Sequence, residues 1–129
     1  MFSQGTYIHQ TINLGVKSAE KSTILNSYDL VAVRPAGSEN LYEQAFTQSD
    51  AEIITLDLSQ RFNFYIKKTW VKLALQRGVC LEIVYGSGCL EHQNAAVRKL
   101  FLMNAMQLAK LCKRGRNLIL ASGACRVLY

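Results

Sequence analysis

The side chains of this 129-residue sequence that could hold a metal ion or move a proton are few: Asp57, Glu82, His9 and His92. A metal-dependent phosphoester hydrolase would need such groups gathered at the C-terminal ends of strands. The two histidines lie far apart, with no HxH or HExxH around them and neither at a clear strand end. Glu82 alternates with Cys80 and Val84 on one face of an otherwise apolar segment, where an ionised carboxylate is unfavourable unless paired. The expectation is a structural carboxylate bonded to an arginine such as Arg34, with metal ligand or general base as the alternative. Cys80, Cys89, Cys112 and Cys125 form no CxxC pair and no zinc-like spacing with the histidines, so they read as reduced thiols of an intracellular protein. Gly86-Ser87-Gly88 could present N–H groups to a phosphate. It lacks GxGxxG and a GK[ST] ending, so a flexible loop at a strand end is the better account.

The cations carry more. Residues 1–60 hold three Lys/Arg against seven Asp/Glu, whereas residues 61–129 hold twelve against two. A basic second half points to a polyanion or an acidic partner. Lys67, Lys68 and Lys72 stand beside Phe62, Phe64 and Tyr65, and lysines interleaved with aromatics can bind RNA through phosphate contact and stacking. At least two of those rings are expected to fill the core beneath a loop instead. Lys113, Arg114 and Arg116 form a second cluster. Between the clusters, Lys99, Met103, Met106 and Lys110 share the outer face of a helix, and methionines among lysines suit a partner surface as well as solvent.

Four apolar cores must position these groups: Leu30–Val33, Ile53–Leu56, Cys80–Tyr85 and Leu118–Ala121, with helix-compatible sequence between them. That rhythm is repeated βα units, since each parallel strand needs a crossover of a dozen or more residues. Continuous apolar strands are burial on both faces, in a doubly wound sheet or a (β/α)8 barrel. A further strand, half wet and at an edge, is expected within residues 7–16, followed by a short helical turn over 17–27. Strand Asp29–Val33 ends at Arg34-Pro35, and a helix runs from Ser38 to about Gln48. Strand Glu52–Leu56 leads through a loop to a helix reaching Arg77, with Gly78 as its C′ residue. Strand Val79–Tyr85, helix Asn94–Lys113 closed by Gly115, and strand Asn117–Ala121 complete one domain over residues 1–129. In the long helix Val97, Phe101, Asn104, Leu108 and Cys112 fall within one inward arc. No apolar run approaches a membrane span, and Met1–Gln10 lacks the layout of a signal peptide.

In order, Ser27–Val33 with Pro35, Phe64–Lys68, Ala74–Tyr85 and Asn117–Ala124 resemble the 30-kDa protein subunit family of ribonuclease P and ribonuclease MRP. The Arg77-Gly78 step and Glu82-Ile83-Val84-Tyr85 are its most diagnostic part. The resemblance implies an incomplete TIM-like barrel related to the polymerase-and-histidinol-phosphatase phosphoesterases, without their metal ligands and with no cofactor. It implies a non-catalytic, RNA-binding role beside ribonuclease P/MRP RNA, precursor transfer RNA and other protein subunits, including a small ferredoxin-like partner, in nucleus and nucleolus. The individual RNA contacts expected of Lys67, Lys68, Lys72, Lys113, Arg114 and Arg116 rest on their chemistry. A full barrel takes about 250 residues, and five strands fall short of it. The family's opening units are missing before Met1 and relatives continue past Ala124, so a fragment with two unpaired sheet edges is expected. A metal phosphoesterase using Asp57, Glu82 and a histidine, and a protein-interaction module without RNA affinity, are the competing expectations.

Overall fold

The computed structural model describes residues 7–10, 30–86 and 94–123. Strands β1 (Tyr7–Gln10), β2 (Leu30–Val33), β3 (Ile53–Leu56), β4 (Cys80–Val84) and β5 (Leu118–Ala121) form one parallel sheet. Helices α1 (Glu39–Thr47), α2 (Lys68–Gln76) and α3 (Ala95–Leu111) cross between strands from β2 onward. Strand order in space is the order in the chain, β1-β2-β3-β4-β5. That order decides between the two architectures open to βα repeats. A doubly wound sheet reverses direction at a switch point and covers both faces with helices, whereas a single winding sense puts every helix on the same face.

The core confirms that arrangement. Tyr42 and Phe46 of α1, Trp70 and Val71 of α2, and Phe101 and Leu108 of α3 pack in one cluster with Ile54, Leu56, Leu81 and Ile83. Side chains of a strand alternate between faces, so the intervening Thr55 and Glu82 point to the face opposite the helices. These two residues are register partners on β3 and β4. The Thr55 hydroxyl donates to Glu82 Oε2 at 2.5 Å, and both are buried. This is an α/β arc of a TIM-like barrel, with helices outside and a polar pair on the inner face. One hydrogen bond to Glu82 thus comes from a hydroxyl on the neighbouring strand β3. Arg34 is half-buried, and its Nε has no hydrogen-bond partner among the described residues.

Local chemistry ends the elements. Gly78, at φ +77°, adopts the left-handed conformation past α2, which lets the Val79 N–H reach the Ala74 carbonyl at 3.0 Å and starts β4 at once. Asn94 caps α3 by accepting the Ala96 N–H at 2.9 Å. Arg77 closes a different helix: its guanidinium donates to the carbonyls of Phe46 (2.5 Å) and Ser49 (2.7 Å) at the C-terminal end of α1. Phe46 and Trp70 stack 6.3 Å apart beneath it. Gly86 is a close-packing glycine: a Cβ there would run into the Ser122 carbonyl, so the exits of β4 and β5 can approach. Ser87 and Gly88, like the expected turn over 17–27, lie outside the described residues.

Candidate nucleic-acid interface

A groove of about 610 Å³ separates α2 from α3 and the turn that follows it. Its rim carries Lys68 and Lys72 on one side and Lys110, Lys113 and Arg116 on the other. Lys68 and Lys72 are four residues apart, so their stems rise from the same helical face. Neither α2 nor α3 contains an acidic residue. Among the described residues none of the five cations forms an ion pair. Like charges gathered without counter-charge destabilise the elements that hold them by a few tenths of a kcal/mol per pair, so this arrangement does not serve the fold.

Lys68 makes the point most sharply. It occupies the first position of α2, whose first turn holds no acid. The positive end of a helix dipole favours an anionic side chain there by about 0.3–1 kcal/mol. The turn after α3 adds a second unfavourable choice, because Lys113 (φ 49°), Arg114 (φ 66°) and Asn117 (φ 56°) join Gly115 (φ 93°) in the left-handed region. For Lys113 and Arg114 that conformation costs roughly 1–2 kcal/mol each, whereas glycine and asparagine adopt it readily. The turn closes through the Arg116 N–H to the Cys112 carbonyl at 2.8 Å, which sets Arg116 at the groove.

The structure divides the cations that the sequence grouped together. Lys68, Lys72, Lys113 and Arg116 converge, and Lys110, expected on a partner-binding face, joins them. Lys67 turns away: its Nζ lies 3.1 Å from Glu39 and 4.9 Å above the Trp70 ring. Arg114 is exposed on the turn without bordering the groove. Lys99 and Met106 are exposed on α3, and Met103 borders a neighbouring pocket.

That pocket, about 300 Å³, lies between the loop at residues 61–66 and α3, and Leu111 borders both it and the cationic groove. The segment that leads into this loop is tied down by hydrogen bonds to α3 and α1. Asn104 Nδ2 of α3 donates to the carbonyls of Leu58 (2.9 Å) and Gln60 (3.1 Å), and Gln60 Nε2 donates to the Tyr42 hydroxyl at 3.1 Å. Phe62 and Phe64 fold inward against Tyr42, with ring centroids 5.5 and 4.9 Å from it. Burial, then the nearby Asp57 charge, raise the Tyr42 hydroxyl above its ordinary value. Tyr65 goes the other way and stands 82% exposed at the pocket rim. Arg61, Asn63 and Gln107 also line it. Sequence reasoning passed over these three; a polar Gln107 between Asn104 and Lys110 on α3 is the signal that could have shown them.

Among the described residues the candidate catalytic groups do not converge in this way. Asp57 Oδ1 accepts the N–H and hydroxyl of Ser59 (3.1 and 2.5 Å), a local turn at the end of β3. His9 falls on the edge strand β1, and His92 lies outside the described residues. Among the described residues no three His, Cys, Asp or Glu side chains gather to hold a metal ion. Cys80 and Cys112 are free thiols, and burial pushes the Cys112 thiol up to about 11, leaving it unreactive at neutral pH. Cys89 and Cys125 lie outside the described residues. No helix among the described residues is long and apolar enough to cross a membrane.

Residues 11–129 match the sequence model of the family described as RNase P subunit p30. The chain belongs to that family. A mouse protein named ribonuclease P protein subunit p30 is 36% identical over 107 residues, covering 83% of this chain and 38% of that protein. The probable ribonuclease P protein subunit 3 of Schizosaccharomyces pombe is 32% identical over 119 residues, covering 89% of this chain and 48% of its own length. The ribonuclease P/MRP protein subunit RPP1 of Saccharomyces cerevisiae is 29% identical over 108 residues, 84% of this chain and 35% of that protein. The chain thus spans less than half the length of each of these p30-family relatives. Both helices that border the cationic groove fall within the matched p30 segment.

Proposed function

We propose that this chain acts as a non-catalytic, RNA-binding part of a ribonuclease P or MRP subunit, supporting removal of the 5′ leader from precursor transfer RNA and, in MRP, ribosomal RNA processing. On this reading it works in the nucleus, including the nucleolus, beside the ribonucleoprotein's RNA and its other protein subunits, a small ferredoxin-like partner among them. The observation that carries the reading is the convergence of Lys68, Lys72, Lys110, Lys113 and Arg116 on one groove, uncompensated by acid and in part against the preference of the backbone. Such a rim holds phosphates, and each contact releases counterions, so binding must weaken as salt rises. Chemistry on the substrate is assigned to the RNA.

The test is Lys68→Glu combined with Arg116→Glu, titrated against ribonuclease P RNA at several salt concentrations. Affinity should fall more than tenfold, and the salt slope should flatten by about 0.7–0.9 per lost phosphate contact. Lys68→Glu alone should leave thermal stability unchanged or slightly raised, since it suits the helix dipole. Unchanged affinity and slope, with the circular dichroism intact, would sink the RNA reading and favour a docking module that meets protein through Leu102 and Met106. Capture of the tagged chain from cells, with or without ribonuclease P RNA, checks the assembly.

A further inference from the structure

Resting on that RNA reading, we propose that the α2–α3 cleft takes a single-stranded segment, with one unstacked base held on Tyr65 in the aromatic pocket and the adjoining phosphates in the lysine groove. Tyr65 is the most exposed large apolar side chain among the described residues, at 82%, and among them it has no ring partner. Its neighbours Phe62 and Phe64 are spent on the core around Tyr42. An aromatic 82% exposed, on a loop whose flanking rings Phe62 and Phe64 are anchored against Tyr42, is a stacking platform already ordered, so little conformational freedom is lost when a base settles on it.

The surroundings fit one base. The pocket's 300 Å³ lies at the small end of ligand clefts. Its rim offers Arg61, Asn63 and Gln107, all exposed, and their side chains make no hydrogen bond among the described residues. Together they present both donors and acceptors to the edge of a base. The cationic groove begins where the pocket ends, at Leu111, so a chain leaving the pocket meets Lys68, Lys72 and Lys110 with its backbone. A duplex keeps its bases stacked inside and could offer this cleft only phosphates. The combination of platform and groove therefore selects unpaired RNA.

The experiment compares the 129-residue chain with Tyr65→Ala and Tyr65→Phe, each titrated with a short oligouridylate and with a blunt RNA duplex of equal phosphate number. Tyr65→Ala should lose about tenfold in affinity for the single strand at an unchanged salt slope. Tyr65→Phe should retain affinity, and duplex binding should be weaker and indifferent to either change. Melting curves of the variants should superimpose on the parent, because the side chain is exposed. Equal single-strand affinity of parent and Tyr65→Ala, or a duplex bound as tightly as the single strand, overturns the proposal. If Lys68→Glu with Arg116→Glu still weakens both ligands, the groove survives without the base pocket. If that pair changes nothing either, the RNA reading fails with it.

Discussion

Toward α2, helix α3 offers Asn104, Gln107 and Lys110 to two open clefts; on the other flank Leu102 and Met106 stand 54% and 61% exposed. On β5, Leu120 is likewise exposed, at 71%, although it is the register partner of buried Ile83 and so lies on the helix-covered face of the sheet. In a closed (β/α)8 barrel the outer face of each strand is covered by the helices that flank it. Here α3 covers one side of β5, and among the described residues no helix covers the other. The two flanks therefore fail to be neutral surface for opposite reasons. One concentrates charge that water solvates readily but that resists being crowded. The other exposes apolar area, each Å² of which is worth about 25 cal/mol when covered.

Removing the seam between the flanks should break both. Phe101 and Leu108 are buried at 3% and 1% exposure in the cluster that fixes α3 to the sheet. Phe101→Ala should cost about 3–5 kcal/mol and Leu108→Ala about 2–5 kcal/mol in denaturant unfolding, and either should abolish RNA binding together with the fold. Loss of stability without loss of binding would show that the groove forms independently of the core.

Alkaline titration sharpens the picture at the end of the same seam. The Cys112 thiol, ordinarily near 9.0, is raised to about 11 by burial. Its contribution is therefore complete below about pH 9 and is lost as pH rises through about 11. The total is roughly 2–3 kcal/mol at about 1.4 kcal/mol per unit. Tyr42, also raised, adds to the decline in the same direction. Cys112→Val should remove the thiol's share of the slope in pH-dependent melting; an identical slope would place the titration elsewhere.

The smallest effect on stability belongs to the exposed flank. Leu120→Gln with Met106→Gln should shift unfolding by less than about 0.5 kcal/mol per site, as surface substitutions do, while lowering the fluorescence of a hydrophobic dye. The single-strand affinity should not move. A large loss of stability would mean that these side chains are covered in solution, and the contrast between the flanks would then have to be withdrawn.

Runs of β-branched and aliphatic residues, a glycine after α2 and an asparagine before α3 act within a few residues of themselves. For that reason β2 to β5 and all three helices lie within two or three residues of where the sequence alone put them, and β1 lies inside its expected segment at the sheet edge. The basic bias of the second half was equally legible, since charge is a property of composition. Partnership was not. Lys67 and Lys68 are adjacent in sequence, yet about 100° of helical rotation at the start of α2 sends one to Glu39 and Trp70 and the other to the groove. Glu82 meets a threonine 27 residues away, and Arg77 closes a helix that ended 30 positions earlier at Thr47. Tyr65 could not be told from Phe62 and Phe64 by spacing, because only the packing around Tyr42 decides which rings are buried. Above all, the choice between a doubly wound sheet and a barrel arc lay in strand order. Strands β2 to β5 are apolar enough for either, and what selects one is the face on which successive helices find the same cluster to pack against.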